Sequence, residues 1–290
     1  MKGRWILLML VPLCAEIPAH ADDPEDGYRR ERQAISADGM KKLIVEVDVS
    51  VGELRIGRNP GSDSLIAELE YKGRDYRSKI DLDAEKGRAL IRLKKRDWRH
   101  GNSNRDDRPP ARVTVLLPSG PETVLEARLK AGEADLQLGG LRLRETVISI
   151  WAGELDLDFD RPNLIPMDYL EVNPKIGEAS LRNLANARSL ETDIDAGIGE
   201  LTADFRGAAE PDSRVRIDHD IGETTVLLPD SAAVRYSVGG VTGFMSHKIL
   251  PSGFTDRGRY RYSDDFDRFQ NRSTFIITPG LGELRVDRRN

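Results

Sequence analysis

Acidic residues fall at a spacing that could do chemistry. Glu133 and Asp135 are followed, 21 residues later, by Glu154 and Asp156, with Asp158 beyond. If each pair lies on a strand, both members face one side, because side chains alternate along a strand. Stacked carboxylates could hold Ca²⁺, which takes clustered oxygen ligands. They could also supply the acid and base of a glycoside hydrolase. The plainer reading is a solvated acidic face whose glutamates fold back on backbone N–H groups. It is preferred to the calcium site, and for the hydrolase nothing sets an acid apart from a base. No catalytic residue, metal ligand or cofactor is assigned.

Histidine offers little more. His219 is in phase with Ile217 and Ile221 and is expected to face the core, where Asp218 and Asp220 cannot join it. His100 and His247 stand alone in expected loops. No Ser–His–Asp, Cys–His or phosphate-loop pattern is present.

A second group suits binding rather than catalysis. Arg259, Tyr260, Arg261, Tyr262, Phe266, Arg268 and Phe269 crowd one segment. Aromatic and arginine side chains dominate interfaces and glycan platforms. Arg259, Tyr260, Tyr262, Phe266, Arg268 and Phe269 are the candidate partner-binding residues. The competing reading is a cap whose rings plug the end of the core, and the residues alone favour the cap.

The elements that position these residues are written in a repeat. Gly-Glu occurs seven times, each time after an apolar residue, at Gly52, Gly132, Gly153, Gly177, Gly199, Gly222 and Gly282. The five central glycines are 21, 24, 22 and 23 residues apart. A fixed period in that range marks stacked units sharing one core. Before Gly52, Val45, Val47 and Val49 alternate with polar residues, and after it Leu54 and Ile56 are apolar. The apolar phase has slipped by one, which in a regular strand would turn the side chains to the other face. A corner at glycine restores the facing, since glycine takes positive φ freely. The same reading places Ile176, Ile198, Ile221 and Leu281 in the apolar phase that leads into each corner.

The expected fold is all-β: a parallel β-solenoid (a single-stranded β-helix) of roughly 22-residue rungs. It carries an inserted N-terminal β-meander and a C-terminal cap. The rival is an antiparallel sandwich, in which identical corners at full-turn spacing have no simple explanation. The expected divisions are a signal peptide (1–21), a charged linker (22–38), and a first repeat unit with the inserted meander and a polar loop (39–112). The regular solenoid (113–228) and a C-terminal loop with a closing rung (229–290) follow. The last unit, residues 275–286, is expected to close the end.

Composition bounds the class. The chain has 290 residues, 39% hydrophobic and 6% aromatic, with a net charge of −5. A mildly acidic chain without a long basic tract argues against nucleic acid as partner. Lys2 and Arg4, the apolar run 5–13 and Ala19-His20-Ala21 read as an export signal cleaved after Ala21. That apolar run is too short to span a bilayer. Cys14 raises a lipoprotein alternative, but Leu13 stands where a small residue is wanted. Periplasm is the first expected address and cell surface the second.

Gly52-Glu53-Leu54-Arg55-Ile56, the stretch 136–143 and Ala152-Gly153-Glu154-Leu155-Asp156-Leu157 resemble the bacterial toast-rack proteins. Gly280-Leu281-Gly282-Glu283-Leu284-Arg285-Val286 resembles the end of cell-wall-active antibiotic response proteins and related adhesin-like β-repeat domains. The resemblance implies a β-solenoid with an envelope association and brings no catalytic residues. The expected function is a non-enzymatic binding, adhesin-like or scaffolding module. Its partner would be an envelope protein or glycan, and self-association is possible. The alternative is a polysaccharide lyase or hydrolase on a β-helix. The bare central rungs, without long loops over one face, speak against it.

Overall fold

The computed structural model describes residues 21–22, 27–96, 110–208, 212–239 and 245–288. The export-signal reading, Cys14 and most of the polar loop with His100 fall outside them. Among the described residues the fold is all-β, with two short 3-10 turns and no α-helix.

In chain order the strands are β1 (Ala21–Asp22), β2 (Tyr28–Ser36), β3 (Lys42–Arg58), β4 (Ser64–Lys72), β5 (Tyr76–Asp83) and β6 (Arg88–Lys95). Next come β7 (Ala111–Leu117), β8 (Glu122–Gln137), β9 (Leu143–Asp158), β10 (Met167–Pro174), β11 (Ile176–Arg182) and β12 (Ser189–Asp204). The last are β13 (Ser213–Leu227), β14 (Ala233–Val238), β15 (Met245–Ile249), β16 (Phe254–Arg257), β17 (Tyr260–Ser263) and β18 (Arg272–Asp287).

The long strands pair in parallel, glycine on glycine. Gly52 lies opposite Gly132, then Gly153, Gly177, Gly199, Gly222 and Gly282 follow in one column. Each glycine has φ between 126° and 141°. A Cβ built on any of the last six would collide with the carbonyl of the glycine before it in the column. Two separate constraints, an unusual φ and a bare backbone contact, therefore demand glycine at each corner.

Burial records the slip. In β8, Leu125, Ala127 and Leu129 are buried before Gly132, and Ala134 and Leu136 after it. In β13 the buried residues step from His219 to Thr224, so the four corner residues between them leave the core. This corrects the expected phase of Ile176, Ile198, Ile221 and Leu281, which are exposed. They sit on the outside of the bend, where neither leg points inward. Lys175 separates β10 from β11 after Pro174, which has no N–H to give the ladder. Lys175 N–H still donates to Ile150 at 2.9 Å, and the Lys175 carbonyl accepts from Ile198 at 2.8 Å.

The turns between successive strands lean on buried asparagine. The Asn163 side chain accepts from Leu143 N–H (2.9 Å) and donates to the Leu143 and Ile165 carbonyls (2.8 and 2.7 Å). Asn186 donates to the Phe159 carbonyl (2.8 Å) and accepts from Ala208 N–H (2.9 Å).

Both inserted segments extend the ends of the column. Between β3 and β8 the chain lays β6 and β7 against the two legs of β3, and β5 and β4 continue them antiparallel. The segment expected as a charged linker contributes β2, which pairs with β4 over its whole length. Its charges are matched across the pair, Arg32 to Glu68 at 2.7 Å and Arg30 to Glu70 at 3.4 Å. The charge that suggested a linker is here cross-strand pairing. At the other end, β18 does not close the column. It lies between β13 on one side and β14 and β15 on the other. Its inner face, Phe275, Ile277, Leu284 and Val286, is buried. Beyond β14 come β17 and then β16, both antiparallel.

Candidate functional site

The corners carry the carboxylates. Glu133 and Glu154 are exposed and in register with each other, as are Asp135 and Asp156. Asp156 and Asp158 are neutralised by Arg182, at 2.9 and 3.4 Å, and Asp158 also accepts from Asn183 at 2.8 Å. Asp135 accepts from Gln137 at 2.8 Å. Among the described residues no group of three or more His, Cys, Asp or Glu is arranged to hold a metal ion.

His219 is buried and its Nδ1 lies 2.7 Å from the Thr224 hydroxyl. The corner makes this pair: five residues apart in sequence, they face inward from opposite sides of Gly222. Burial pushes the imidazole below its usual range, against the opposing pull of Asp220. It is a satisfied core histidine.

The C-terminal hairpin β16–β17 is where the predicted partner-binding residues gather. The Tyr262 ring meets Tyr260 edge-on at 6.4 Å and Phe266 at 4.9 Å. Arg259 stacks over Tyr260 at 4.8 Å. Arg268 is exposed and Phe269 half-buried, and neither joins this chain of rings among the described residues. Three arginines complete the group without having been singled out. Arg235 of β14 lies 5.1 Å over Tyr260, Arg257 lies 5.4 Å over Tyr262, and Arg272 lies 5.7 Å over Phe266. Arg257 borders the crowded segment, but Arg235 and Arg272 come from other strands. Only the pairing of β14 with β17 and with β18 brings them in.

The hairpin is held from below. Arg261 donates to the Tyr236 hydroxyl (2.9 Å) and pairs with Asp256 (2.8 Å). Arg288 is nearly buried, pairs with Asp265 at 2.8 Å, and donates to the Pro229 and Ala232 carbonyls. Burial would raise the Asp265 pKa, but hydrogen bonds from Arg288 and Ser263 hold it below the usual carboxylate range. Tyr236 beneath is fully buried, while Tyr260, Tyr262 and Phe266 are half-buried. The expected plug and the expected platform are thus different residues: Tyr236 fills the core end, and the rings of the hairpin stand outside it.

Residues 24–163 match the family model described as the N-terminal domain of toast_rack, DUF2154. This part of the chain is similar to toast-rack domains. The toast-rack match runs from β2 to the turn after β9, so it takes in the first three corners and ends before the C-terminal hairpin. No curated protein matches the chain. Among solved structures, a candidate cell adhesion protein from Clostridium sporogenes ATCC 15579 is similar at 15% identity. Its TM-score is 0.44, over 90% of this chain and 100% of its own. A candidate adhesin from Bacteroides fragilis NCTC 9343 is similar at 8% identity with a TM-score of 0.38, over 89% of this chain and 97% of its own. Among the described residues no helix is long and apolar enough to cross a membrane.

Proposed function

We propose that this chain is an exported, non-enzymatic binding module of the bacterial envelope, built as a parallel β-solenoid of roughly 22-residue rungs. Its partner, an envelope protein or glycan, is gripped at the C-terminal hairpin. One observation carries this reading. The chain spends few aromatics and buries Tyr28, Tyr71, Tyr76, Phe159, Phe205, Tyr236 and Phe275. It leaves Tyr260, Tyr262 and Phe266 partly open, each under an arginine. Half-open rings under guanidinium groups are the chemistry of interface anchors. The parallel registers, offset by one period from glycine to glycine, support the solenoid. The N-terminal charge, apolar run and Ala-x-Ala support export, with periplasm ahead of cell surface.

The test is retention. Tagged protein lacking residues 1–21 is incubated with envelope extract and with purified envelope glycans, then compared with Tyr262→Ala/Phe266→Ala. Loss of the retained species with an unchanged melt supports the reading. Undiminished retention by the double variant refutes it. N-terminal sequencing of the exported form is expected to read Asp22-Asp23-Pro24.

A further inference from the structure

The outer side of the corners carries a second surface. Trp151, Ile176, Ile198, Ile221 and Leu281 are exposed by 65, 48, 53, 43 and 51%. Ile176, Ile198, Ile221 and Leu281 are paired in register on successive rungs, and Trp151 stands on β9 beside them. A water-soluble strand face rarely keeps large apolar side chains stacked in one exposed row. Two residues further along each strand runs a row of exposed glutamates, Glu178, Glu200, Glu223 and Glu283, also in register. The glycines lie between the rows, so nothing but backbone separates them.

The charge of this row is uncompensated. At the N-terminal end Glu53 is held by Arg112 at 2.7 Å. Among the described residues no ion pair reaches Glu178, Glu200, Glu223 or Glu283. The nearby Lys175 is committed to Asp195 at 2.6 Å, while Arg285 stands exposed two residues after Glu283. Like charges in adjacent register destabilise a sheet, so the row calls for cations from elsewhere.

We infer that this ridge docks a cationic amphipathic helix of a partner protein. The spacing selects the helix. Rungs repeat at roughly 4.8 Å, and a helix turn repeats at about 5.4 Å. An extended strand repeats its facing side chains at about 6.7 Å and falls out of step at once. A helix lying along the ridge sets one apolar and one basic side chain beside each rung, the first against the Ile row and the second against the Glu row. From Trp151 to Leu281 the ridge spans four steps, about 19 Å, which is about 13 helical residues. This surface is separate from the hairpin and does not depend on it.

The test uses a labelled 14-residue peptide with leucines on one helical stripe and lysines on the adjacent one, titrated against the protein lacking residues 1–21. A scrambled peptide of the same composition is the control. Ile198→Ser/Ile221→Ser and Glu200→Gln/Glu223→Gln are each expected to weaken binding at least tenfold. The scrambled peptide is expected to bind at least tenfold more weakly than the patterned one. Melts confirm folding, and the charge pair provides a variant that removes no apolar side chain. Tyr262→Ala/Phe266→Ala is expected to leave the peptide affinity unchanged. Equal binding of the scrambled peptide would mean that charge alone attracts it. That result overturns the inference, as does no binding, or an unchanged affinity in either ridge variant.

Discussion

The two ends of the column are both closed with aromatic rings, and they use them in opposite ways. At the N-terminal end Tyr28, Tyr71 and Tyr76 are buried. The Tyr71 hydroxyl meets Glu31 and, at 2.8 Å, Ser78, while the Tyr76 hydroxyl donates to the Val51 carbonyl at 3.3 Å. At the C-terminal end a single buried tyrosine, Tyr236, does the sealing, and a further tier of rings lies on top, half-open and under arginine. One end spends its tyrosines on the core. The other has rings to spare, which is why a binding role is assigned there.

The body between the ends sets the scale for disruption. Gly153→Val puts a β-branched side chain at positive φ and into the Gly132 carbonyl. It is expected to abolish the cooperative melt or to cost several kcal/mol, on the order of 3 or more. A melt near wild type would show that the corner yields, and the two ends would then no longer be fastened to a rigid middle.

Next in size is Tyr76→Ala, expected to cost about 3–5 kcal/mol as buried aromatic truncations do. Denaturant titration measures it. A cost below about 1 kcal/mol would make the N-terminal end resemble the outer tier of the C-terminal one. Arg288→Ala comes close behind, because it leaves Asp265 and two carbonyls without a nearly buried partner. About 2–4 kcal/mol is expected, with faster amide exchange confined to residues 254–268. Smallest is Tyr262→Ala, expected to cost less than about 1.5 kcal/mol because the ring is half-open. A larger loss would return it to the core and erase the contrast.

Burial pushes buried tyrosines up at both ends, Tyr71 and Tyr76 at one and Tyr236 at the other, so the N-terminal end holds more of the alkaline sensitivity. Burial pushes the Tyr76 phenol up to about 12, with Asp75 adding to the shift. A folded pKa above the unfolded value near 10 stabilises fully below pH 10, and that contribution is lost as pH rises toward 12. Asp265 is the reverse case: held below its usual range, it stabilises above pH 3.8 and loses that contribution as pH falls through its folded value. Amide exchange is expected to show residues 28–83 opening first at pH 10–11. Residues 254–288 are expected to open first near pH 3. The same end opening first at both extremes would contradict the assignment of these groups.

Much of this arrangement was legible. The Gly-Glu period marks the column, because each glycine must pass the backbone of the one before it, and the slipped alternation marks the corner. The large apolar residue ahead of Gly177, Gly199, Gly222 and Gly282 was misread, since at a bend hydrophobicity no longer reports facing. Strand β2 was hidden because its charges answer partners about 40 residues away. The hairpin cluster was visible as a crowded segment. Arg235 and Arg272 were not, since only strand pairing brings them to it. The outward facing of the acidic corner residues was legible from the strand alternation.

The placement of β18 has a consequence for the order of assembly. It comes later in sequence than both of its neighbours, yet it separates them. A chain made N-terminus first presents β13 and β14 with a gap between them, and two unpaired edges invite the wrong partner. The N-terminal strands can settle during synthesis, but the C-terminal end must wait for a keystone. Any carrier that escorts this chain would therefore have to hold residues 213–238 open until residues 272–287 arrive.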